Sequence, residues 1–293
     1  MGKTRKNRRG RSRHKGGAII GKGGSGAIFA PPLLCTQPSQ VYGDEYVSKI
    51  FFEEANRLGG IEIEYGKGRL VRELDPEGRW SITPEARCVL AREQSDEEFE
   101  ASPQTTQQII YRNGGLTLSS LIYGSNGKLL PPERLNYKLY IHCIKQLMDI
   151  LPILHTRYVH DDLHSGNIVY NEHDGRVRII DFGYLQTLDD AIRSDIEKFK
   201  NRYEITDATC LDQVKKAHYD LVKQRDYSEL FREVCRVIID YKLNKMRPYD
   251  EWINRWSENE EAGTEGAILR AVFAGTIRCN MYADAIRSLP DQV

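Results

Sequence analysis

The 293-residue sequence lacks several features that define common protein classes. No run approaches the roughly 18 apolar residues of a transmembrane helix, so we expect no membrane-spanning segment. The six cysteines are widely spaced and form no CxxC pair, which disfavours a zinc ribbon and a secreted disulfide scaffold. We therefore expect reduced thiols and an intracellular location, in the cytoplasm or the nucleus.

Acidic residues are absent from the first 43 positions of the chain. Nine of the 42 basic residues precede Asp44, so residues 44–293 hold 33 basic against 42 acidic side chains, a net charge of −9. Residues 1–17 carry eight of these positive charges and no large apolar residue except Met1, which predicts a disordered basic tail. Such a tail could contact nucleic acid or an anionic membrane surface, signal nuclear import, or only aid solubility.

Strand-like patterns dominate the sequence between residues 18 and 114, which we expect to form one domain. Short apolar runs flank a glycine cluster within residues 18–30 and predict a hairpin. Residues 46–52 and 108–111 are rich in β-branched and aromatic side chains, as in strands. Residues 53–74 are expected to be helical in part, and residues 95–108 resemble an exposed loop.

Helix-like patterns dominate residues 115–293, which we expect to form a second, mostly helical domain. Two apolar stripes recur at helical spacing. Their members are Tyr140, Ile144, Leu147, Leu151, Leu154 and Tyr158 in the first, and Leu230, Val234, Ile238 and Tyr241 in the second. Pro152 is expected to kink or fray the end of the first helix. Residues 188–203 resemble a charged helix.

A glycine-rich segment follows the first apolar run and has the pattern GxGxxGxI. Its members that we assign to phosphate binding are Gly21, Gly23, Gly24, Ser25, Gly26 and Ile28. Glycines let backbone N–H groups approach phosphate oxygens closely, so this segment could cover a nucleotide triphosphate. An ordinary glycine-rich turn is the alternative. A dinucleotide-binding fold would need a helix directly afterwards, and Pro31-Pro32 argues against one.

Lys49 lies inside a strand that has the composition of a buried one. A buried ammonium group is costly unless anionic groups surround it. Phosphate oxygens and a carboxylate from a nearby helix could supply those anions. The alternative is a lysine on an edge strand that points to water.

Two polar motifs flank a predicted hairpin over residues 168–180. This hairpin would place Asn167 and Asp181 at neighbouring strand ends, as two oxygen donors suited to Mg²⁺. The alternation of His160, Asp162 and His164 could instead supply ligands for a transition-metal hydrolase. That alternative leaves the glycine segment and Lys49 without a role.

The order of these motifs over residues 18–183 resembles the signature set of the protein-kinase-like phosphotransferase superfamily. The motifs are Gly21/Gly23/Gly26, then Lys49, then His160-x-Asp162-x4-Asn167, then Asp181-Phe182-Gly183. The resemblance implies a two-lobed α+β fold, with a small β-rich N-lobe and a larger, mostly helical C-lobe. The basic tail, the glycine segment, Pro31–Cys35 and Val47–Phe51 also resemble kinase-like proteins of large DNA viruses. If the protein is viral, this resemblance implies a virion-associated location as an alternative to the cytoplasm or nucleus.

The resemblance further implies ATP and Mg²⁺ as cofactors and a protein serine or threonine hydroxyl as the acceptor. Asp162 would be the catalytic base within the motif that begins at His160, and Asn167 and Asp181 would hold Mg²⁺. Lys49 would bind the α- and β-phosphates and pair with a helical glutamate, for which we choose Glu62 before Glu64. Residues 109–115, which include Tyr111, would form the hinge that binds adenine.

Three departures from the superfamily pattern affect the expected activity. Asp161 replaces the arginine that receives an activation-loop phosphate, so we expect activity without such phosphorylation. His164 replaces a lysine, and no Ala-Pro-Glu follows Asp181, since the next proline is Pro248. These two departures leave open a small-molecule or lipid-headgroup kinase, and a nucleotide-binding pseudokinase scaffold remains a third alternative.

Overall fold

The computed structural model of the protein describes most of the first 203 residues and part of a later helix. The described residues are 17–37, 42–91, 107–124, 128, 130–131, 134–203, 222–223, 225–227, 230, 233–234 and 237. The predicted tail lies outside them except for Gly17. No helix among the described residues is long and apolar enough to cross a membrane.

The chain divides into two compact units, and both are discontinuous in sequence. The sheet unit comprises Met1–Tyr65 and Pro84–Asn113, and the helical unit comprises Gly66–Thr83 and Gly114–Val293. The division therefore passes through one helix after Tyr65. The sequence predicted one domain boundary near residue 114. In the structure, residues 66–83 also belong with the later part of the chain.

An antiparallel sheet of five strands, in the order β1-β2-β3-β5-β4, forms most of the sheet unit. The strands are β1 (Ala18–Lys22), β2 (Gly26–Ala30), β3 (Tyr46–Phe51), β4 (Ala86–Val89) and β5 (Gln107–Arg112). The hairpin over residues 18–30 and the strand over 46–52 are confirmed. Helices α1 (Glu53–Arg57) and α2 (Gly60–Leu74) follow β3, as the partial helicity of residues 53–74 predicted.

A disulfide bond joins Cys35, which follows β2, to Cys88 of β4, with a Cα–Cα distance of 5.7 Å. The expectation of reduced thiols was wrong for this pair, because folding brings together two cysteines 53 positions apart. The Gln108 side-chain amide is fully buried beside it and donates to Leu33 O at 2.7 Å. Gln108 therefore does not belong to an exposed loop, and the rest of that predicted loop falls largely outside the described residues.

The helical unit is built around α4 (Tyr137–Leu154), whose apolar stripe from Tyr140 to Leu154 is completely buried, as predicted. Tyr158, the last predicted member of that stripe, is buried too but lies in the strand that follows the helix. The helix continues for two residues beyond Pro152. The other elements are α3 (Leu118–Ile122), α5 (Leu188–Tyr203) and the short strands β6 (Leu116–Thr117), β7 (Tyr158–Val159), β8 (Ile168–Asn171), β9 (Arg176–Ile179) and β10 (Gln186–Thr187). The bounds of α5 match the predicted charged helix.

A turn at residues 75–78 connects α2 to the core of the helical unit. Gly78 has a φ of +63°, and its N–H donates to Asp75 O at 3.1 Å. The buried Asp75 carboxylate accepts the N–H groups of Arg79, Trp80 and Ser81. These bonds direct Trp80 into the core, where the backbone beside it pairs with Ile179 of β9.

The described residues between 222 and 237 are all helical. Their buried side chains Val222, Leu230, Val234 and Val237 pack into the helical unit. The first two members of the second predicted stripe are therefore core residues. Ile238 and Tyr241 lie outside the described residues.

Candidate functional site

The glycine segment forms the tight turn between β1 and β2, where the Gly23 N–H donates to Gly26 O at 2.9 Å. A Cβ on Gly26 would lie 2.1 Å from Ile50 O, so only glycine fits beside β3. A Cβ on Gly23 or Gly24 would meet nothing within 4 Å. The turn thus has one glycine required by packing and two with open space where a side chain would lie. Gly21, Ser25 and Ile28 flank these positions in the same hairpin.

Lys49 lies in β3 and is only 6% exposed. Its Nζ atom lies 2.6 Å from Oε2 of Glu64 on α2, which is 4% exposed, so the two charges form a buried ion pair. The choice of Glu62 as the partner was wrong. Glu62 is exposed and pairs with Arg87, because it lies on the outer face of α2.

Tyr111 lies in β5, on the same face of the sheet as Lys49, and its hydroxyl donates to Oε1 of Glu64. Both oxygens of the Glu64 carboxylate therefore have donors, which offsets the cost of burying its charge. The chain leaves the sheet unit after Asn113, and Gly115 has a φ of +92°. The predicted adenine-binding role of residues 109–115 stays a prediction.

Asp162 and Asn167 lie in the loop between β7 and β8. The Asn167 side-chain amide donates from Nδ2 to Asp162 O at 2.8 Å and to Asp162 Oδ2 at 3.2 Å. Asn167 is buried, whereas the Asp162 side chain is 36% exposed. The Asp162 carboxylate is thus accessible to solvent, and the buried Asn167 side chain fixes its orientation.

Asp181 follows β9 directly. Strands β8 and β9 form the predicted hairpin, with Ile168 opposite Ile179, and the Ile180 N–H donates to Asn167 O at 2.9 Å. Asn167 and Asp181 therefore lie at neighbouring strand ends, as expected. Asp181 has a φ of +58°, a left-handed conformation that aspartate tolerates better than most residues.

The donor set of Asn167 and Asp181 suits a hard cation. Nδ2 of Asn167 is engaged with Asp162, so its Oδ1 atom is left as an acceptor at the strand end next to that of Asp181. One carboxylate and one amide oxygen are too few to enclose an ion, but Mg²⁺ commonly takes one or two protein oxygens and completes its shell with phosphate and water. The residues present therefore fit Mg²⁺ bound together with a nucleotide.

His160 is fully buried and packs against Phe182, with ring centroids 5.4 Å apart. Its Nε2 atom donates to Ile180 O at 2.9 Å, so the ring joins the Asp162 loop to the chain before Asp181. This bond engages Nε2 of His160 in holding the loop, and the ring is buried away from solvent. Among the described residues, no three histidine, cysteine or acidic side chains are grouped as metal ligands.

Asp226, one of the helical residues described between positions 222 and 237, organises the same loop and was missed in the sequence. Its buried carboxylate accepts the N–H groups of His160 and Asp161 at 2.9 Å each and contacts His155 Nε2 at 2.9 Å. Burial acts to raise the pKa of Asp226, but the His155 and His160 interactions lower it overall. A signal was available, because Asp226 shares the spacing of Leu230 and Val234 and is thus an acid on an apolar helix face.

Arg225 occupies the neighbouring position and binds two acidic residues. It donates to Asp161 at 2.9 Å and to Asp195 of α5. Burial acts to lower the pKa of Arg225, but the bonds to Asp161 and Asp195 raise it overall. Gln186 of β10 donates to the second Asp161 oxygen at 2.7 Å. Fixed charges therefore link the Asp162 loop to the segment after Asp181.

Glu233 and Lys67 complete the contacts around the loop. Glu233 accepts the N–H and the hydroxyl of Ser165 at 2.8 and 2.9 Å. Lys67, on α2, donates to Gly183 O at 2.8 Å, and its pKa is lowered by burial. Neither contact had a signal in the sequence, because each depends on residues at least 68 positions apart.

Two comparisons with known proteins gave matches. Residues 133–215 match the ABC1 atypical kinase-like domain. A crystal structure of an Stt7 homologue from Micromonas algae, soaked with ATP, resembles the chain with 18% sequence identity and a TM-score of 0.38. That match covers 57% of this chain and 48% of the other, so this chain spans about half of the Stt7 homologue. No curated protein matches the sequence.

The matched region of the ABC1 domain includes Asp162, Asn167 and Asp181. It covers less than a third of the chain, and it supports a relationship to the protein-kinase-like superfamily. The mixed α/β architecture, with one β-rich unit and one rich in helices, is consistent with a kinase-like fold.

Proposed function

We propose that the protein is an ATP-dependent phosphotransferase, and specifically a protein serine/threonine kinase with a two-lobed, protein-kinase-like fold. The observation that carries this proposal is the arrangement of the 160–167 loop. An accessible carboxylate, Asp162, is oriented by Asn167, and Asn167 lies at the strand end beside Asp181. General-base catalysis needs an oriented and accessible group of this kind.

The side chains have separate roles in this proposal. Asn167 and Asp181 would hold Mg²⁺, which when bound would neutralise negative charge on the β- and γ-phosphates. Lys49 would contact the α- and β-phosphates, and Glu64 and Tyr111 hold its ammonium group in place. The backbone of Gly23 and Gly24 would cover the phosphates, and Tyr111 and its neighbours in residues 109–115 would lie near adenine.

The reaction transfers one phosphoryl group between two oxygens. The bond between the γ-phosphorus and the bridging β-phosphate oxygen breaks, and ADP leaves with that electron pair. The acceptor hydroxyl oxygen bonds to the phosphorus, and its proton passes to the Asp162 carboxylate. His160 and Asp226 act on this step only by holding the loop, because both side chains are buried and bonded to backbone groups.

One structural observation favours the small-molecule alternative. Helix α5 begins at Leu188, only seven positions after Asp181, and β10 is already paired with β7. The segment between Asp181 and α5 is therefore short, and a peptide has less chain on which to dock than in ordinary protein kinases. A small-molecule or lipid-headgroup hydroxyl is the second candidate acceptor.

The contacts of Asp161 support activity without activation-loop phosphorylation. Arg225 and Gln186 already occupy both oxygens of the Asp161 carboxylate. An acidic side chain at this position would repel a phosphate, whereas the usual arginine would bind it. Treatment with a phosphatase is expected to leave turnover unchanged, and loss of turnover would contradict this part of the proposal.

We propose that the basic tail directs the enzyme to an anionic partner and takes no part in catalysis. Its eight positive charges favour nucleic acid or an anionic membrane surface as a partner. Deletion of residues 1–15 should preserve ATP turnover while weakening polyanion binding. An intracellular location, a virion-associated form and the likeness to viral kinase-like proteins stay predictions.

Transfer from γ-labelled ATP tests the proposed function. The full chain with Mg²⁺ is incubated with a panel of proteins and, separately, a panel of hydroxyl-bearing metabolites and lipid headgroups. Label on protein serine or threonine supports the proposal, and label on the second panel alone supports the small-molecule alternative. Mg-ATP binding without any transfer would identify a pseudokinase. Asp181→Ala should reduce Mg-ATP binding, whereas the exposed control Asp189→Ala should not.

A further inference from the structure

The Cys35–Cys88 disulfide lies on the face of the sheet that the proposed nucleotide-binding side chains do not use. Cys88 of β4 is directly opposite Gln108 of β5, whereas Lys49 of β3 is directly opposite Ile109. Consecutive residues of a strand point to opposite faces, so Gln108 and the disulfide lie on the face opposite Lys49. The disulfide is therefore separate from the buried ion pair of Lys49.

Residues 31–36, which we call the strap, run from the end of β2 to β4 at the far edge of the sheet. The Thr36 N–H donates to Val89 O at 2.8 Å, and the Ala91 N–H donates to Leu34 O at 3.0 Å. The disulfide is the covalent link between the strap and β4. Opening it would leave the strap attached to this edge by hydrogen bonds and packing alone.

The Gln108 side chain contacts both sulfur atoms. Its Nε2 atom donates to Leu33 O at 2.7 Å and lies 3.2 Å from Cys88 Sγ and 3.7 Å from Cys35 Sγ. The side chain is fully buried, and within the described part of the chain its Oε1 atom has no hydrogen-bond partner. An unpaired buried acceptor is destabilising, so an amide is a poor neighbour for a disulfide that serves only as a crosslink.

Reduction of the disulfide would supply the partners that this amide lacks. A thiol carries an S–H donor, which a disulfide sulfur does not, and Oε1 of Gln108 would accept it. A thiolate at Cys88 would accept the Nε2 N–H in a charge-assisted hydrogen bond, which is stronger than one to a neutral sulfur. Gln108 therefore stabilises the reduced pair more than the oxidised pair.

We propose that Cys35–Cys88 is a thiol–disulfide exchange site for small thiols such as glutathione, with Gln108 stabilising Cys88 as the leaving thiolate. Cys35 is the sulfur that the small thiol attacks. Both cysteines are buried, but Cys35 is followed by the exposed Thr36, whereas the exposed neighbours of Cys88 in β4 alternate to the other face of the sheet. This inference does not depend on the proposed phosphotransferase function.

The exchange takes two steps and moves two electrons. The thiolate of one small thiol attacks Cys35 Sγ, the S–S bond breaks, and Cys88 leaves with the electron pair. A second small thiolate attacks the outer sulfur of the mixed disulfide and releases the Cys35 thiolate. The two protons of the small thiols end on the two cysteines. Two small thiols thus become one disulfide, and the protein pair is reduced to two thiols.

Equilibration of the full chain with reduced and oxidised glutathione, followed by alkylation and mass spectrometry, tests the proposal. The pair should interconvert without denaturant, and an acid quench during reduction should find glutathione on the peptide that contains Cys35. Gln108→Met should slow reduction roughly 10-fold and shift the equilibrium roughly 10-fold towards the disulfide, as expected for loss of a hydrogen bond to a charged sulfur. The matched control is Gln107→Met, on the other face of β5, which should behave as the unaltered protein.

A purely structural role for Gln108 predicts a change of the opposite sign. If the amide only tied the strap to β5 through Leu33 O, Gln108→Met would loosen the strap and speed reduction. Unchanged or faster reduction in Gln108→Met would therefore overturn the inference. So would a disulfide in the unaltered protein that glutathione reduces only in urea, or quenched glutathione on Cys88, and these two measurements decide if the variant does not fold. None of these assays uses nucleotide, so their failure would leave the phosphotransferase proposal standing.

Discussion

The two units of the molecule are stabilised by different chemistry. In the sheet unit, the Cys35–Cys88 disulfide joins the chain after β2 to β4, and Lys49 of β3 pairs with Glu64. In the helical unit, the loop that carries Asp162 is held by Asp226, which accepts backbone N–H groups. A reductant should therefore destabilise the sheet unit, and loss of the buried Asp226 charge should destabilise the helical unit.

Asp226→Ala should produce the largest effect. The substitution leaves the buried N–H groups of His160 and Asp161 without their acceptor and removes the charge that faces His155. Losing one partner of a buried charge network costs about 3–5 kcal/mol in the free energy of unfolding. Hydrogen exchange should rise in peptides that contain residues 158–170 and not in β3 or β5. Unchanged exchange in the loop would contradict the role given to Asp226.

Acid should selectively weaken the same contact. The folded-state pKa of Asp226 is lowered, so its ionisation contributes stability above its unfolded pKa of about 4. That contribution is lost as the pH falls through the lower folded-state pKa. Asp226→Asn should therefore flatten the fall in unfolding free energy below about pH 4, measured by urea titration. If the unfolding free energy of Asp226→Asn fell with pH as steeply as that of the exposed control Asp189→Asn, the role given to the Asp226 carboxylate would be contradicted.

Reduction of the disulfide should have the next largest effect, on the sheet unit. A crosslink between positions 53 residues apart restricts the unfolded chain, and its loss is expected to cost about 2–4 kcal/mol. Dithiothreitol should increase hydrogen exchange in β3, β4 and β5 while leaving α4 protected. The Cys35→Ser/Cys88→Ser double variant is the control, because a reductant should not change its exchange further. Equal deprotection of α4 would show that the units do not respond separately.

Lys49→Met should have a smaller effect on stability and a clear effect on nucleotide binding. The substitution breaks a buried ion pair, but Glu64 keeps the Tyr111 hydroxyl as a donor, so the expected loss is about 3 kcal/mol, the low end for such a pair. Loss of the phosphate-binding ammonium should weaken Mg-ATP binding roughly 10- to 100-fold. The matched control is Glu62→Ala, whose exposed pair with Arg87 should contribute less than about 1 kcal/mol. Comparable losses of unfolding free energy in both variants would contradict the assignment of Glu64 as the partner of Lys49.

Local sequence patterns predicted the elements whose structure is decided locally. The glycine hairpin, α4, α5 and the β8–β9 hairpin all follow from periodicity and turn residues. The predicted hairpin also placed Asn167 and Asp181 at neighbouring strand ends, as the structure shows. In each of these cases, the residues that fix the structure lie within one or two turns of the element.

Contacts between distant segments escaped prediction. The choice of Glu62 placed the partner of Lys49 on the exposed face of α2, whereas Ile61, Glu64 and Val71 lie on its buried face. Strand β4 has no distinctive composition and depends on its pairing with β5. The partners of Cys35 and of Asp161 are 53 and 64 positions away, and no local pattern records such separations.

The central claim is that Asp162 is the base of an ATP-dependent phosphotransferase, and the Asp162→Asn variant tests it most directly. The variant keeps the shape of the side chain but cannot take up the acceptor proton at neutral pH. Mg-ATP should raise the melting temperature of both proteins equally, since Asp162 does not hold the nucleotide. Transfer of the γ-phosphoryl group should fall about 10²- to 10⁴-fold in the variant. Undiminished transfer by Asp162→Asn, or no thermal shift with Mg-ATP in the unaltered protein, would contradict the account.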